Sequence, residues 1–260
     1  MTQPITQGQR LDFLIRCLLN ENEEYKNIEI PAGQPDKRRL LRSLMNVRPP
    51  VPASEEFLKV QDAYLQERLA ERGVTEPENL TPVQPGIYLW QGDITTLAAD
   101  AIVNAANRQL LGCFLPCHGC IDNAIHTYAG IQLRLECARI MAAQPGEEPA
   151  GQAKITKAYN LPCRYVLHTV GPVIYGSVTS REQRLLEDCY RSCLDLASAY
   201  GLKNVAFCCI STGEFHFPNI LAAQIAEKTV RAWQNGHPGK IEVIFNVFKD
   251  KDYDIYRRLL

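Results

Sequence analysis

The sequence predicts an α/β layer sandwich preceded by a helical segment, and three observations lead to this prediction. The first 80 residues contain only three glycines and carry apolar residues at helical spacing. From about residue 84, short apolar strands alternate with longer helical patterns, which is typical of α/β proteins. The length of 260 residues corresponds to one or two domains and suffices to bury a full core. We therefore expect a helical N-terminal extension over residues 1–83 and an α/β domain over residues 84–260.

Three helices are expected in the extension. The first presents one apolar face, formed by Leu11, Leu14, Ile15, Leu18 and Leu19. Asp36 is a candidate N-cap of the second helix, which the proline-rich stretch 48–52 ends. Ser54 is a candidate N-cap of the third helix, and Gly73 suits its C-terminus. This segment shows no recognisable chemistry, so we expect it to cover apolar surface; shaping the pocket or recruiting a target are the alternatives.

The α/β part shows no internal repeat and alternates regularly. Strands are predicted at 87–90, 101–103, 155–159, 165–170, 205–210 and 241–248. Helices are predicted at 121–143, 182–200, 218–233 and 253–260. In such folds ligands bind beyond the carboxyl ends of the strands, so the loops that follow the strands are the places to search for a site.

Charge and hydropathy exclude several classes of protein. Lys and Arg total 28 against 29 for Asp and Glu, which gives a net charge of −1 and no strong attraction to nucleic acid or to anionic membranes. No apolar run approaches the ~20 residues that cross a bilayer. The first seven residues lack the basic and apolar blocks of a signal peptide. We therefore expect a cytoplasmic protein that binds neither nucleic acid nor membrane.

The ten cysteines are expected to be free thiols, because the chain is neither short nor evidently secreted. Free cysteine behaves as a small hydrophobic residue and is often buried. Seven are interpreted in this way: Cys17, Cys137, Cys163, Cys189, Cys193, Cys208 and Cys209. The other three crowd around a histidine in the loop discussed below.

Three polar loops are candidates for ligand binding. Residues 91–94 (Gln-Gly-Asp-Ile) and 104–107 (Asn-Ala-Ala-Asn) each have, in isolation, an ordinary interpretation as a turn or a backbone support. Residues 211–218 join an apolar strand to a helix, and backbone N–H groups in such a place bind phosphate well. The sequence contains neither a Walker A motif nor Gly-x-Gly-x-x-Gly, which argues against triphosphate chemistry and a standard dinucleotide fold but leaves a diphosphate ligand open.

The fourth loop has the composition of a metal site. Cys113, His118 and Cys120 follow the pattern Cys-x4-His-x-Cys, and zinc prefers thiolate sulfur and imidazole nitrogen. Three protein ligands leave one coordination position open, which favours a catalytic ion. Cys117 would close the site if it were a fourth ligand. A Cys–His nucleophilic pair, or no special chemistry, are the other interpretations.

Six motifs, taken together and in this order, resemble those of macrodomains. They are Gln-Gly-Asp-Ile (91–94), Asn-Ala-Ala-Asn (104–107), Ile-Asp-Asn-Ala-Ile-His (121–126), Gly-Gln-Ala-Lys-Ile-Thr (151–156), His-Thr-Val-Gly-Pro (168–172) and Ile-Ser-Thr-Gly (210–213). The resemblance covers residues 84–260. Most macrodomains have a glycine run where this chain has residues 112–119, and Cys113, His118 and Cys120 resemble the zinc loop of a bacterial and fungal branch with a helical N-terminal extension.

The resemblance implies a three-layer α/β/α fold with a mixed central sheet and a pocket for ADP-ribose. It also implies zinc-dependent hydrolysis of mono-ADP-ribose from modified protein side chains, chiefly acidic ones. Some members of this branch reverse modification by sirtuin-type ADP-ribosyltransferases, which makes such an enzyme a possible functional partner.

The resemblance further implies roles for individual residues. Asp93 would accept the adenine amino group beside the Ile94 backbone, and Phe248 would stack on adenine unless it belongs to the core. The diphosphate would lie against the backbone of Ser211, Thr212, Gly213, Glu214 and Phe215. Asn107 and Asp122 are the catalytic candidates beside the distal ribose; helix N-capping is the alternative role for Asp122. His216 stands where relatives outside the zinc branch usually have glycine, so the closure of this loop is an open question.

The resemblance suggests a mechanism and leaves competitors. Zinc would act as a Lewis acid at the distal ribose, and Asp122 would orient a water or act as its base. One competitor is a non-catalytic reader of ADP-ribosylated proteins with a structural zinc, which ligation by Cys117 would favour. A second is an O-acetyl-ADP-ribose deacetylase that uses the same pocket. A nucleic-acid binder is disfavoured, because no basic stripe is visible.

Overall fold

A mixed seven-stranded sheet organises the α/β part of the chain. The computed structural model describes residues 5–260. The strands are β1 (Pro82–Gln84), β2 (Ile87–Gln91), β3 (Ala101–Ala105), β4 (Ala153–Lys157), β5 (Tyr165–Thr169), β6 (Asn204–Phe207) and β7 (Glu242–Val247). Their order in the sheet is β1-β2-β7-β6-β3-β5-β4. The five inner strands are parallel, and β1 and β4 pair antiparallel at the two edges. The predicted fold class and mixed sheet are thus confirmed.

Eight helices flank the sheet or form the extension within the described residues. They are α1 (Gln7–Asn20), α2 (Gln34–Val47), α3 (Glu55–Arg72), α4 (Ile121–Ala129), α5 (Ile131–Ala142), α6 (Ser180–Ala199), α7 (Asn219–Gly236) and α8 (Asp250–Leu259). None of these helices, over residues 5–260, has both the length and the apolar character needed to span a membrane.

The single helix predicted over residues 121–143 is wrong, because the chain breaks at Gly130. This glycine ends α4 and precedes α5 with φ 96° and ψ 170°, a conformation that L side chains rarely adopt. A Cβ atom there would lie 2.7 Å from Nε2 of Gln61 in α3. The break therefore lies in the backbone conformation of Gly130, which the helical periodicity of this segment does not reveal.

Several predicted ends also differ from the structure. The strand predicted at 205–210 already ends at Phe207, and the last helix begins at Asp250 instead of 253. Ser54 caps α3 through the N–H of Phe57, as predicted, and Gly73 is its C-cap. Asp36 is not the cap of α2, since Gly33 holds that position and Asp36 lies in the first turn.

The extension has its own apolar core. Leu14 and Ile15 of α1 and Leu41 of α2 are fully or almost fully buried in it. Ile131 of α5 belongs to the same cluster and joins it to the α/β part. The sheet begins at Pro82, two residues before the predicted domain boundary at 83/84.

The ten cysteines are all free thiols. Of the seven interpreted as buried hydrophobic residues, five are buried, whereas Cys17 and Cys209 are only half-buried. The other three thiols, Cys113, Cys117 and Cys120, are half-buried. They lie in the cysteine loop, defined as residues 113–120, which precedes α4.

Candidate active site

A cleft of about 750 Å³ lies where β2, β7, β6 and β3 end. Because these four neighbouring strands are parallel, the loops that follow them meet at the same edge of the sheet. The cleft brings together all the candidate catalytic, ligand-binding and metal residues except Cys117, the possible fourth ligand, and His216 does not line it either. The candidates that line the cleft are Asp93, Ile94, Asn107, Cys113, His118, Cys120, Asp122, Ser211, Thr212, Gly213, Glu214, Phe215 and Phe248.

One end of the cleft is built around Asp93, which follows β2. Its Oδ1 accepts hydrogen bonds from N (3.0 Å) and Oγ1 (2.7 Å) of Thr95, and its Oδ2 accepts one from Arg72 Nη1 (3.1 Å). Arg72, the last residue of α3, also stacks on the Tyr128 ring at 3.7 Å. Phe248, which follows β7, is 74% exposed on the cleft wall and not in the core. An acceptor and an exposed aromatic ring suit a flat base with an exocyclic amino group.

The loop after β6 is a turn closed by its own backbone. Its closing hydrogen bonds run from the N–H of Phe217 to the carbonyl of Ser211 and from the N–H of His216 to that of Gly213, both at 3.0 Å. His216 adopts φ 57°, a conformation that glycine adopts more readily, and the backbone turn forms with the imidazole in place. Because α7 begins only at Asn219, the loop precedes the helix as a separate turn.

This turn offers backbone donors to the cleft. Within residues 5–260, the N–H groups of Gly213, Glu214 and Phe215 donate no hydrogen bond to protein atoms. Consecutive unpaired N–H groups of this kind form anion-binding concavities. Ser211 holds the start of the turn at φ 64°, and its Oγ is buried without a partner among the described residues.

Asp122 lies at the other end of the cleft, in the first turn of α4. It is not the helix N-cap, because Cys120 holds that position and accepts from the N–H of Asn123. Asn104 Nδ2 donates to Oδ1 of Asp122 at 2.8 Å, and Asn107 Nδ2 lies 3.5 Å from Oδ2. Burial raises the pKa of Asp122 to about 6, although the Asn104 hydrogen bond lowers it. The result is a carboxylate more basic than an ordinary aspartate, with Oδ2 on the side of Asn107.

Two buried histidines stand behind Asp122. His126 Nε2 lies 3.5 Å from Oδ1 of Asp122, and burial lowers the pKa of this imidazole well below its usual range. His168 is held on both nitrogens, since Asn104 Nδ2 lies 3.2 Å from Nδ1 and Thr156 Oγ1 lies 2.9 Å from Nε2. His168, His126 and Cys137 are close enough to suggest a second metal site. Both nitrogens of His168 already have hydrogen-bond partners, whereas neither nitrogen of His126 has one among the described residues, so the group does not offer three free ligand atoms.

The cysteine loop presents a donor set that fits zinc. The ligand atoms of Cys113, His118 and Cys120 all lie within 4.8 Å of one another. The distance from Cys113 Sγ to His118 Nδ1 is 3.6 Å, which equals the ~3.6 Å expected between sulfur and nitrogen ligands on one tetrahedral zinc. Nε2 of His118 lies 3.7 Å from Oε1 of Glu214, which is close but beyond hydrogen-bond distance.

Cys117 points away from these three ligands. Its Sγ contacts Ser43 Oγ at 3.3 Å and the carbonyl of Arg39 at 3.4 Å, both in α2. The donor set is therefore three residues that line the cleft, and the remaining coordination position of a tetrahedral ion is free of Cys117.

Sequence reasoning missed the residues that support the site. Asn104 and His126 lie within quoted motifs, and the four-residue spacing from Asp122 to His126 was a usable signal. Arg72 of α3 and Arg42 of α2 reach the site from a segment to which we assigned no chemistry. No local pattern marks them, because their partners are 21 and 76 residues away.

Together, fold and cleft define an α/β ligand-binding domain of the kind that binds at the carboxyl ends of parallel strands. The family model described as "Macro domain" matches residues 103–226. A Treponema medium protein named "Protein-ADP-ribose hydrolase" is 53% identical over 260 residues, which cover 98% of this chain and 100% of the relative. A protein of the same name from Staphylococcus aureus (strain MSSA476) is 48% identical over 250 residues, which cover 95% of this chain and 94% of the relative.

A solved structure agrees with these sequence comparisons. The Trypanosoma brucei macrodomain, crystallised in complex with ADP-ribose, superimposes with a TM-score of 0.65 at 34% identity. The match covers 84% of this chain and 94% of that one. The chain belongs to the macrodomain family.

Proposed function

We propose that this chain is a zinc-dependent hydrolase that removes mono-ADP-ribose from modified acidic side chains of proteins. The observation that carries the proposal is that three soft metal ligands converge in the same cleft as the buried carboxylate of Asp122. Asn107 joins the two, because its Nδ2 donates to the carbonyl of Gly112 at 3.0 Å and faces Oδ2 of Asp122. Relatives at 48–53% identity that carry the name protein-ADP-ribose hydrolase support the proposal.

The ligand is proposed to run along the cleft in one direction. Adenine lies against Phe248 with its amino group on Asp93, because these groups provide a stacking face and an acceptor. The diphosphate oxygens accept hydrogen bonds from the backbone N–H groups of the turn at 213–215. This order brings the distal ribose to Asn107 and Asp122, beside the cysteine loop.

The residues of the chain then divide the chemistry between them. Zinc held by Cys113, His118 and Cys120 would supply a Lewis acid for oxygen atoms at the distal ribose. Asp122 accepts a proton from the attacking water at Oδ2, because Asn104 already occupies Oδ1. The attack breaks the acyl ester between the distal ribose and the protein side chain, so the products are the free carboxylate of the protein and ADP-ribose. The side-chain amide of Asn107 lies beside Oδ2 of Asp122, on the side of the carboxylate that faces the distal ribose.

We further propose that a sirtuin-type ADP-ribosyltransferase installs the modification that this chain removes. The small-molecule ligand of this chain is then free ADP-ribose, and its substrate is ADP-ribose attached to a protein.

A reader with a structural zinc is disfavoured, because Cys117 lies against α2. A deacetylase acting on O-acetyl-ADP-ribose would use the same cleft, and a direct comparison of the two substrates distinguishes them.

Single-turnover release of ADP-ribose from an acidic-residue-modified protein tests the proposal. Zinc-loaded enzyme is compared with chelated enzyme whose metal content has been checked, and with chelated enzyme reloaded with zinc. We expect release only in the two zinc-loaded samples, with ADP-ribose binding partly retained after chelation. Full activity in verified zinc-free protein would refute the role of the metal. Binding of ADP-ribose with no release in all three samples, including the zinc-loaded ones, would support the reader.

A further inference from the structure

We propose that helix α2 of the N-terminal extension is the scaffold of the cysteine loop, and that Arg42 and Asn46 are positioning residues for zinc binding. The inference rests on the metal site of the proposed function and extends it to residues outside the loop. It also assigns the extension a role beyond covering apolar surface.

Arg42 holds the loop from one side. Its Nη2 donates to the carbonyl of the ligand residue His118 at 3.0 Å. Nε and Nη2 of the same guanidinium donate to Oδ1 of Asn123 at 3.2 and 2.7 Å. A guanidinium presents its donors in a fixed plane, so these contacts define the position of His118 relative to the start of α4.

Asn123, which Arg42 holds, also contacts the other two candidate ligand residues, Cys113 and Cys120. Its Nδ2 donates to the carbonyl of Leu115 at 2.9 Å and lies 3.5 Å from that of Cys113. Its backbone N–H donates to Sγ of Cys120 at 3.4 Å. Through Arg42 and Asn123, all three ligand residues are therefore tied to α2.

Asn46 and its neighbours hold the middle of the loop. The N–H of Cys117 donates to Oδ1 of Asn46 at 2.9 Å, and Asn46 Nδ2 donates to Oγ1 of Thr127 at 2.9 Å. Cys117 adopts φ 52°, a conformation that costs energy for any residue with a Cβ and persists only when its surroundings impose it. The contact of its thiol with Ser43 supplies a second restraint from the same helix.

This arrangement matters because the loop has few restraints of its own. Residues 113–120 form no regular secondary structure, so zinc binding would otherwise have to order them. Partners that orient metal ligands typically change metal affinity by ~10–100-fold. Because α2 holds the loop in place before zinc binds, the free energy of zinc binding is not reduced by the cost of ordering the loop.

Zinc affinity measured by competition with a chromogenic chelator tests the inference. The variant is Arg42→Met, which keeps an unbranched apolar stem as far as the position of Nε and removes the donors. The matched control is Arg38→Met on the same helix, since the exposed Arg38 side chain forms no hydrogen bond or ion pair within residues 5–260. Both substitutions remove one positive charge, which by electrostatics alone would strengthen the binding of a cation.

We expect Arg42→Met to weaken zinc binding by ~10-fold or more, against the electrostatic trend, while Arg38→Met does not weaken it. Amide hydrogen exchange of residues 113–120 in the chelated protein should also accelerate in Arg42→Met alone. If Arg42→Met does not fold, Arg42→Lys decides the question: it keeps the charge but lacks the planar fork that bonds His118 and Asn123 together. Zinc binding should then still weaken, and unchanged binding would overturn the inference.

The outcomes separate this inference from the proposed function. Unchanged or tighter zinc binding in Arg42→Met would overturn the inference and leave the metal site intact. A wild-type protein that binds no zinc would refute the metal in the proposed function and this inference with it.

Discussion

Substitution of Asp93 by alanine should abolish discrimination between adenine and hypoxanthine in the bound nucleotide. Adenine offers an amino donor where hypoxanthine offers a carbonyl acceptor. The Asp93 carboxylate is an acceptor only, so it favours the first ligand and disfavours the second. Arg72 and Thr95 fix this carboxylate in one orientation, which makes the preference a property of geometry and charge.

The size of the effect follows from the exposure of the carboxylate and from its free acceptor positions. Oδ1 already accepts two hydrogen bonds from Thr95, whereas Oδ2 accepts one from Arg72 and retains capacity for another. A hydrogen bond to a charged group contributes ~1.5–3 kcal/mol, and the 41% exposure of the Asp93 side chain argues for the lower end. About 1.5 kcal/mol corresponds to roughly a tenfold loss of affinity for ADP-ribose.

Isothermal titration of ADP-ribose and of its hypoxanthine analogue measures both affinities in the wild-type protein and in Asp93→Ala. Asp93 also caps the short 3-10 turn Ile94–Thr96, so the absolute affinity of the variant for one ligand does not isolate a single contact. The ratio of the two affinities does isolate it, because damage to the turn affects both ligands alike. We expect the wild type to prefer adenine about tenfold more strongly than the variant does. An equal loss for both ligands would refute direct recognition of the amino group.

Three further results are expected. Asp122→Asn should lower the single-turnover rate by ~10²–10⁴-fold with ADP-ribose binding retained; an unchanged rate would remove Asp122 from the chemistry. Phe248→Ala should raise the Kd for ADP-ribose by roughly 5–150-fold, since base stacking contributes ~1–3 kcal/mol, without changing the rate at saturation; an unchanged Kd would exclude stacking. Burial lowers the pKa of His168 to about 3, so its neutral form stabilises the fold above about pH 6.5 and this stability is lost as the pH falls from there toward 3. Urea unfolding at pH 8 and pH 5 should show ~2 kcal/mol less pH dependence in His168→Gln than in the wild type, and equal pH dependence would contradict this.

The sequence was sufficient to predict the α/β alternation and the loops that form the cleft. Parallel strands end at one edge, so residues 91–94, 104–107 and 211–218 could be placed together once their strands were identified. The cysteine spacing could likewise be interpreted without a structure, because the three candidate metal ligands lie within one short loop and are local in the chain.

The parts that the sequence did not predict depend on contacts distant in the chain. Gly130 breaks a helical pattern by its positive φ, at a position where Gln61 of α3 packs closely, and periodicity records only apolar spacing within one segment. The position of Cys117 depends on Asn46 and Ser43 of α2, so spacing alone could not decide whether it joins the ligands. His126 was within a quoted motif, but its proximity to Asp122 has meaning only once both are known to be buried.

The extension reaches the two ends of the cleft through different helices, Arg72 of α3 at Asp93 and Arg42 of α2 at the cysteine loop. Apolar packing alone tolerates changes of shape and sequence, whereas hydrogen bonds weaken steeply when donors and acceptors move out of line. The buried cluster around Leu14 and Ile15 holds both helices in one body. That rigidity is what allows two directional contacts, made by residues 30 positions apart, to fix opposite ends of one site. The extension is therefore a structural part of the cleft. Its apolar core determines how accurately Arg42 and Arg72 are positioned relative to their hydrogen-bond partners in the cleft.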